Sequence, residues 1–524
     1  MNLHWVDLLV IIAYFAVTLT VGLWFTRKSR STDRYYLGGR NFPGWAVGLS
    51  FIGGTISSMT FIGYPADSFK TSWVRLLPNL AFPFVALLAA WVFIPFFRQG
   101  KVTSAYQYLH LRFGAPVAAY AACVYMAAQI VRMATITYLL AVLLASLSGL
   151  AVPWCIVLAA GLTGLYATIG GFEAVIWTEV LQTVVLILGA LVCVVVVLNA
   201  VPGGFGEVWS QAMNAGKISF DELNVTTGTL EPLRSGWALS EKTMWMLMLV
   251  GASQYIAGQL DQDTVQRWCS AKSVKEARKS MVVLGLGALP VWTTFMFLGT
   301  CLWVYYQQHP DAASAAILAG SRKSEDILPH FILTALPVGM AGLVVSAALA
   351  AGMSSLGCCV SAASMVWVND IQRKYLVRGR SDGHYLRSGK IASAAFTLLM
   401  MGGAVLFHLA DTKTIMDASI TMTALFGGGI SGAFLFGMFT RAGDHRAVLV
   451  GIASTVAFTG YALLMQFKIL PRSFDPYYTS ILANGVMLTS CALAAKALPA
   501  ANRDLSHLTI WDRPMENPND KEPS

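Results

Sequence analysis

About thirteen runs of roughly twenty predominantly apolar residues follow one another along the chain, each long enough to cross the hydrocarbon core of a bilayer as a helix. They centre on residues 4–26, 45–67, 76–97, 117–146, 152–169, 174–199, 243–260, 281–305, 336–366, 389–409, 415–439, 447–467 and 477–497. With no water in that core, every backbone amide and carbonyl must bond internally, so segments of this kind cross as helices rather than as loops or open strands. The expected fold class is an all-α polytopic membrane protein. Only 12% of the 524 residues are charged and 56% are hydrophobic, a balance that leaves little chain for a soluble domain.

The formal net charge of +9 could point to an acidic partner, but the basic residues alternate between loops. They collect between Arg27 and Arg40, Arg98 and Arg112, Arg267 and Lys279, and Arg373 and Lys390, and are sparse in the loops between. That is the positive-inside bias. It predicts a multi-pass protein of the cell (inner) membrane with its N-terminus outside and its C-terminus cytoplasmic, and it gives nucleic-acid binding no support. Met1 to Asp7 lacks a basic n-region, so the first span is expected to stay as a helix. The eight cysteines lie mostly inside apolar spans, where Cys packs as a small hydrophobe, and no disulfide framework or metal cluster is expected.

One span departs from a plain anchor. Residues 48–66, GLSFIGGTISSMTFIGYPA, carry Gly53-Gly54 in the middle, Gly63 and Pro65 near the end, and hydroxyls at six positions. A helix broken at membrane depth is tolerated where it is buried in protein or lines a wet cavity, and such a break is the best sequence pointer to a transporter's site. Span seven shows a similar interruption at Gly251, Gly258 and the polar run from Gln259 to Asp263. Setting aside the first span and the last two leaves ten, which divide as five plus five, with span two opening the first half and span seven the second. The expectation is one transmembrane domain over 1–497, made of an extra first span (1–26), an inverted-repeat core (45–440) and two closing spans (447–497), followed by a short cytoplasmic tail (498–524).

Three further features carry chemistry. Arg132 lies near the middle of span four, where a charge costs about 2.5–3.5 kcal/mol on insertion scales and therefore faces a polar interior. Its planar fork suits a solute carboxylate; a structural ion pair with Asp67 or Asp261 is the alternative. Ala351, Ser354 and Ser355 recur at i, i+3 and i+4 in span nine, placing a carbonyl and two hydroxyls on one helical face. Oxygens of that kind suit sodium, although small-residue faces also serve close helix packing. Glu173 suits the N-terminal dipole of span six, whereas Glu179 lies about a turn and a half deeper, where ion access and simple interfacial placement are both open. No phosphate loop, nucleophile triad or paired catalytic carboxylates are present, so an enzyme is not expected. A passive channel lacks the polar stripe that a pore needs, and the short tail has no room for a sensor's signalling domain.

The stretches YYLGGRNFPGWAVGLS, TISSMTFIGYPA, GGFEAVIWTEVLQ, DQDTVQRW and AALAAGMSSL followed by VNDI, in this order, resemble the sodium:solute symporter family over essentially the whole length. Through KVTSAYQYL, VRMATITYL, YYQQHP and the SSM-T cluster the chain is most similar to bacterial sialic acid symporters. The resemblance implies the leucine-transporter-type inverted-repeat fold and a sodium-coupled symporter with no cofactor beyond the ion. Its partners would be the bilayer, Na+ and a small solute, with no obligate protein partner. It implies a sodium site of Gly53, Ile56, Ala351, Ser354 and Ser355, and solute contacts at Thr55, Ser57, Thr60 and Arg132; Asn79 and Asp261 are further candidate solute contacts, and Glu179 a candidate for ion access. A carboxylated sugar such as sialic acid or a related sugar acid is the implied solute; a neutral sugar, another organic acid or an amino acid is the alternative. Met59 and Thr60 stand where glucose-type members carry acidic and amide groups. Where sialic acid symporters place a second sodium on span-nine serines and a span-six Asp, this chain has Gly357, Cys358 and Glu179, which points to one sodium per turnover. Arg75 and Asn79 replace a Phe and a Gln of that group, so the implied acid can differ from sialic acid.

Overall fold

A computed structural model describes residues 4–25, 31–99, 104–224, 229–409, 429–498 and 504–512. Among them, nine helices are long and apolar enough to cross a membrane, and a bent pair makes a tenth. In chain order they are α1 (Trp5–Trp24), the bent pair α2 (Gly44–Thr55) and α3 (Ser58–Lys70), α4 (Val74–Arg98), α5 (Ala115–Ser148) and α6 (Val152–Ala200). The second half holds α7 (Met244–Gln259), α8 (Gln262–Ser270), α9 (Val274–Gln308), α10 (Met340–Leu376), α11 (Asp382–Leu409), α12 (Ile430–Phe439), α13 (His445–Gln466) and α14 (Pro476–Ala497). A two-residue hairpin, Glu222–Leu223 against Leu230–Glu231, sits in the long loop after α6.

The difference from about thirteen spans has local causes. The expected spans at 152–169 and 174–199 form one run of 49 residues, α6, divided at Gly171. There φ is +68° and ψ −160°, a region open essentially to glycine alone. A Cβ at Gly171 would also meet the Tyr35 backbone oxygen at 2.7 Å. The expected seventh span, 243–260, coincides with α7, whose 16 residues are too few to cross alone, and the first part of the expected eleventh span, 415–428, lies outside the described residues.

α10 is the centre of the molecule. Of its most apolar window 94% is buried, against 28% for α1, and it packs chiefly on α6. Its run of Ala, Gly and Ser allows that approach, because small side chains let helix backbones come close: a Cβ on Gly189 of α6 would collide with Ala347, and one on Gly352 would meet Leu140 of α5 at 2.6 Å. The N-terminus of α10 is held by Asp7 of α1, whose carboxylate accepts from the amides of Gly339 (2.7 Å) and Gly342 (2.8 Å). Orphan amides at a helix start favour an anion in this way.

Two arginines counted among the basic loop residues are interior groups: Arg112 is 1% exposed and Arg267 2%. Arg112 donates to the carbonyls of Thr440, Ala442 and Gly443 beyond the end of α12.

Candidate ion and solute site

α2 ends and α3 begins at Ile56-Ser57, where ψ turns to 95° and then 174° and the axis bends by 59°. α7 and α8 part at Leu260-Asp261, where Asp261 is extended. Both interruptions expected from the sequence are thus present, and α10 runs alongside the first.

The Ser354 hydroxyl donates to the Gly53 carbonyl (2.8 Å) and stands 3.2 Å from the Ala351 carbonyl. The Ser355 hydroxyl stands 3.2 Å from the Gly54 carbonyl and 3.4 Å from that of Ala351. Three carbonyls and two hydroxyls therefore converge between α2 and α10, and Ala351, Ser354 and Ser355 are fully buried. Of the expected sodium residues, Gly53, Ala351, Ser354 and Ser355 come together, and Gly54 joins them. Ile56, also fully buried, occupies the break itself, its amide bonded to the Ile52 carbonyl at 3.0 Å. Rotation of the two hydroxyl protons would turn this set into an all-oxygen cradle for a hard monovalent cation.

Behind this cradle stands a buried ion pair. Arg267 of α8 donates to both carboxylate oxygens of Glu179 on α6, at 3.0 and 3.1 Å, and to Ser50 of α2 at 3.1 Å. Ser50 in turn donates to Glu179, and the guanidinium lies 5.1 Å from the Phe51 ring centroid. Gly54 is required there, since a Cβ would sit 2.7 Å from Arg267 Nη2. On Gly53 a Cβ would collide with Thr183, whose hydroxyl donates to the Leu49 and Glu179 carbonyls. Glu179 is thus charge-paired inside the protein. Neither Arg267 nor Ser50 was expected at the site; the available signal was the position of Arg267 about one turn past the polar interruption of span seven.

On the solute side, Arg132 lies in electrostatic reach of Cys359, Asp263, Cys358 and Asp261. Asp67 is engaged elsewhere, in an ion pair with Arg75, so of the two acids weighed as partners for Arg132 it is Asp261 that stands nearby. Thr60 is 7% exposed, and Ser57 is half-buried without a capping bond. The Thr55 hydroxyl is turned to its own helix, donating to the Phe51 carbonyl at 2.8 Å. Asn79 donates to Tyr64 (2.8 Å) and accepts from Tyr255 (2.6 Å), so it ties α3, α4 and α7 together with both ends of its amide.

A sequence profile of the sodium:solute symporter family matches residues 35–465. The chain is 30% identical over 465 residues to the sodium/sialic acid symporter SiaT of Proteus mirabilis, covering 87% of this chain and 90% of that protein. The solved substrate-bound, outward-open structure of a Na+-coupled sialic acid symporter superposes with a TM-score of 0.84 at 27% identity, covering 95% of this chain and 99% of that one. A nucleobase-cation-symport-1 family transporter shares the fold at a TM-score of 0.55 and 14% identity, covering 91% and 97%. The leucine-transporter-type architecture expected from the sequence is the one these neighbours share.

Proposed function

As the chain belongs to the sodium:solute symporter family, we propose that it imports a small carboxylated solute, of the sialic acid or sugar-acid kind, with one sodium ion bound between α2 and α10. The convergence of the Gly53, Gly54 and Ala351 carbonyls with the Ser354 and Ser355 hydroxyls carries this reading. Sodium there would fix the end of α2 against α10 and thereby the unwound residues that follow it. An ion that favours the binding-competent state raises solute affinity, and the solute raises ion affinity by the same factor. Rocking of the core about this site would then expose it inward.

Arg132 would grip the carboxylate, with Thr60 and Ser57 offering hydroxyls; the solute-acid reading also draws support from the sialic acid transport of the relatives. The internal Glu179–Arg267 pair supports a single sodium, because that carboxylate already has its cation. The chain would lie in the cell membrane with its basic loops cytoplasmic, its N-terminus outside and residues 498–524 inside.

The test is uptake of radiolabelled N-acetylneuraminate and galacturonate into proteoliposomes under a sodium gradient. Uptake is expected to collapse when K+ or choline replaces Na+, and unchanged uptake sinks the coupling claim. Arg132→Ala should abolish affinity for acids, and Arg132→Lys should weaken it, since a point charge cannot reproduce the bidentate fork.

A further inference from the structure

The charges around the site do not balance. Glu179, Asp261 and Asp263 are met by Arg132 and Arg267. Arg267 is bidentate to Glu179 and 3.8 Å from Asp263. Other charges nearby cancel among themselves, Asp370 with Lys374 at 2.8 Å and Asp67 with Arg75. Counted by formal charge, the excess is one negative charge, which one sodium ion would neutralise. A solute that brings only a carboxylate then restores a net charge in a desolvated place, which is costly without a partner; a solute that brings a carboxylate and an ammonium does not.

Around the two aspartates, buried polar groups stand without partners among the described residues. Asp261 occupies the N-cap of α8, where an Asp ordinarily accepts an amide of its own helix, yet its side chain makes no capping bond. On α5, Tyr125 and Arg132 lie in electrostatic reach of it, and Gln129 shares their helical face, the three standing at i, i+4 and i+7. Tyr125 and Gln129 are each 4% exposed, and among the described residues the Tyr125 hydroxyl and the Gln129 Oε1 have no hydrogen-bond partner. Asp263 and Asp261 are both in electrostatic reach of Tyr125, and Tyr106 lies 5.4 Å from Tyr125 between ring centroids. Buried polar groups without partners are uncommon, and each such group calls for an explanation.

We infer that Asp261 and Asp263, opposite Arg132, form an ammonium subsite, so that the transported acid is zwitterionic: an amino acid or an amino-sugar acid with a free amine. This rests on the symporter reading above. Arg132 takes the carboxylate, the aspartates take the ammonium, and the Tyr125 hydroxyl and Gln129 carbonyl oxygen stand beside the cationic end.

Matched pairs of probes that differ only in the amine test this on the purified full-length chain in saturating sodium: 2-amino-2-deoxygluconate against gluconate, L-alanine against lactate, and L-glutamate against 2-hydroxyglutarate. Thermal-shift titration is expected to show at least one aminated member binding at least tenfold more tightly than its twin. Asp261→Asn and Asp263→Asn should reduce that ratio to near unity while each variant keeps a single cooperative melting transition, which shows that it is folded. The inference is overturned if no aminated member binds, if in every pair that binds the member without the amine binds as well as its twin, or if the folded variants keep the preference. Absence of any sodium-dependent shift in the wild type would instead remove the symporter reading beneath it.

Discussion

The Glu179–Arg267 pair is the strongest single tie behind the ion site, and breaking it from either side should cost more than breaking both sides together. Both side chains are essentially inaccessible, at 0% and 2% exposure, with the closest N···O contact at 3.0 Å. At that separation an effective dielectric of 20 gives an attraction of about 5.5 kcal/mol, most of which offsets the desolvation of the two ions. Removing one partner leaves the other buried and uncompensated, a loss of roughly 3–5 kcal/mol. Glu179→Gln should fall at the lower end, near ~3 kcal/mol, since Arg267 keeps Asp263 within 3.8 Å as a weaker partner. Arg267→Met should fall at the upper end, near ~5 kcal/mol, because Glu179 keeps only Ser50. The double variant should lose only about 1–2 kcal/mol, giving a coupling energy of several kcal/mol in a double-mutant cycle. SDS-titrated unfolding in mixed micelles measures all four species. Sodium titration of the same samples should show weaker binding in the single variants, because Arg267 abuts Gly54, whose carbonyl lies in the ion cradle. Single variants that each cost less than about 1 kcal/mol, or costs that simply add, would refute the argument that this is a fully desolvated, mutually dependent pair.

Other outcomes follow from the same geometry. Ser354→Ala removes an oxygen from the cradle and leaves the buried Gly53 carbonyl unpaired; a loss of about 1.5–3 kcal/mol corresponds to roughly a 10- to 100-fold rise in half-saturating sodium, read by sodium-dependent melting. Gly171→Ala should lower the folded yield and the melting temperature sharply, through both its backbone conformation and the collision with Tyr35. Lys217, in the loop after residues 204–214, donates to the Phe69 and Thr71 carbonyls at the end of α3, and burial pulls its ammonium down to about 8. The unfolded chain therefore holds more protons between that value and the ordinary lysine range, so this group adds stability as pH rises from about 8 towards 10.5. Lys217→Met should flatten that rise in pH-dependent melting curves.

The class of the protein and its two broken spans are properties of the chain itself. Apolar length, Gly53-Gly54, and the polar run from Gln259 to Asp263 each act through backbone hydrogen bonding in a medium without water, and that constraint is local. Ala351, Ser354 and Ser355 were legible for the same reason, since helical spacing alone puts them on one face. Which groups meet across the interior was decided only by tertiary packing. Arg267 reads as one more basic residue near a cytoplasmic loop until α8 packs against α10 and α2 and buries it on Glu179 of α6. The amide of Asn79 has no partner evident in the sequence until Tyr64 and Tyr255 take both of its ends. Asp7 reads as the polar start of the first span until the N-terminus of α10 arrives beside it. An ion pair or a shared hydrogen bond joins residues that sequence separation leaves unrelated, so its existence belongs to the packed helices and not to any one of them.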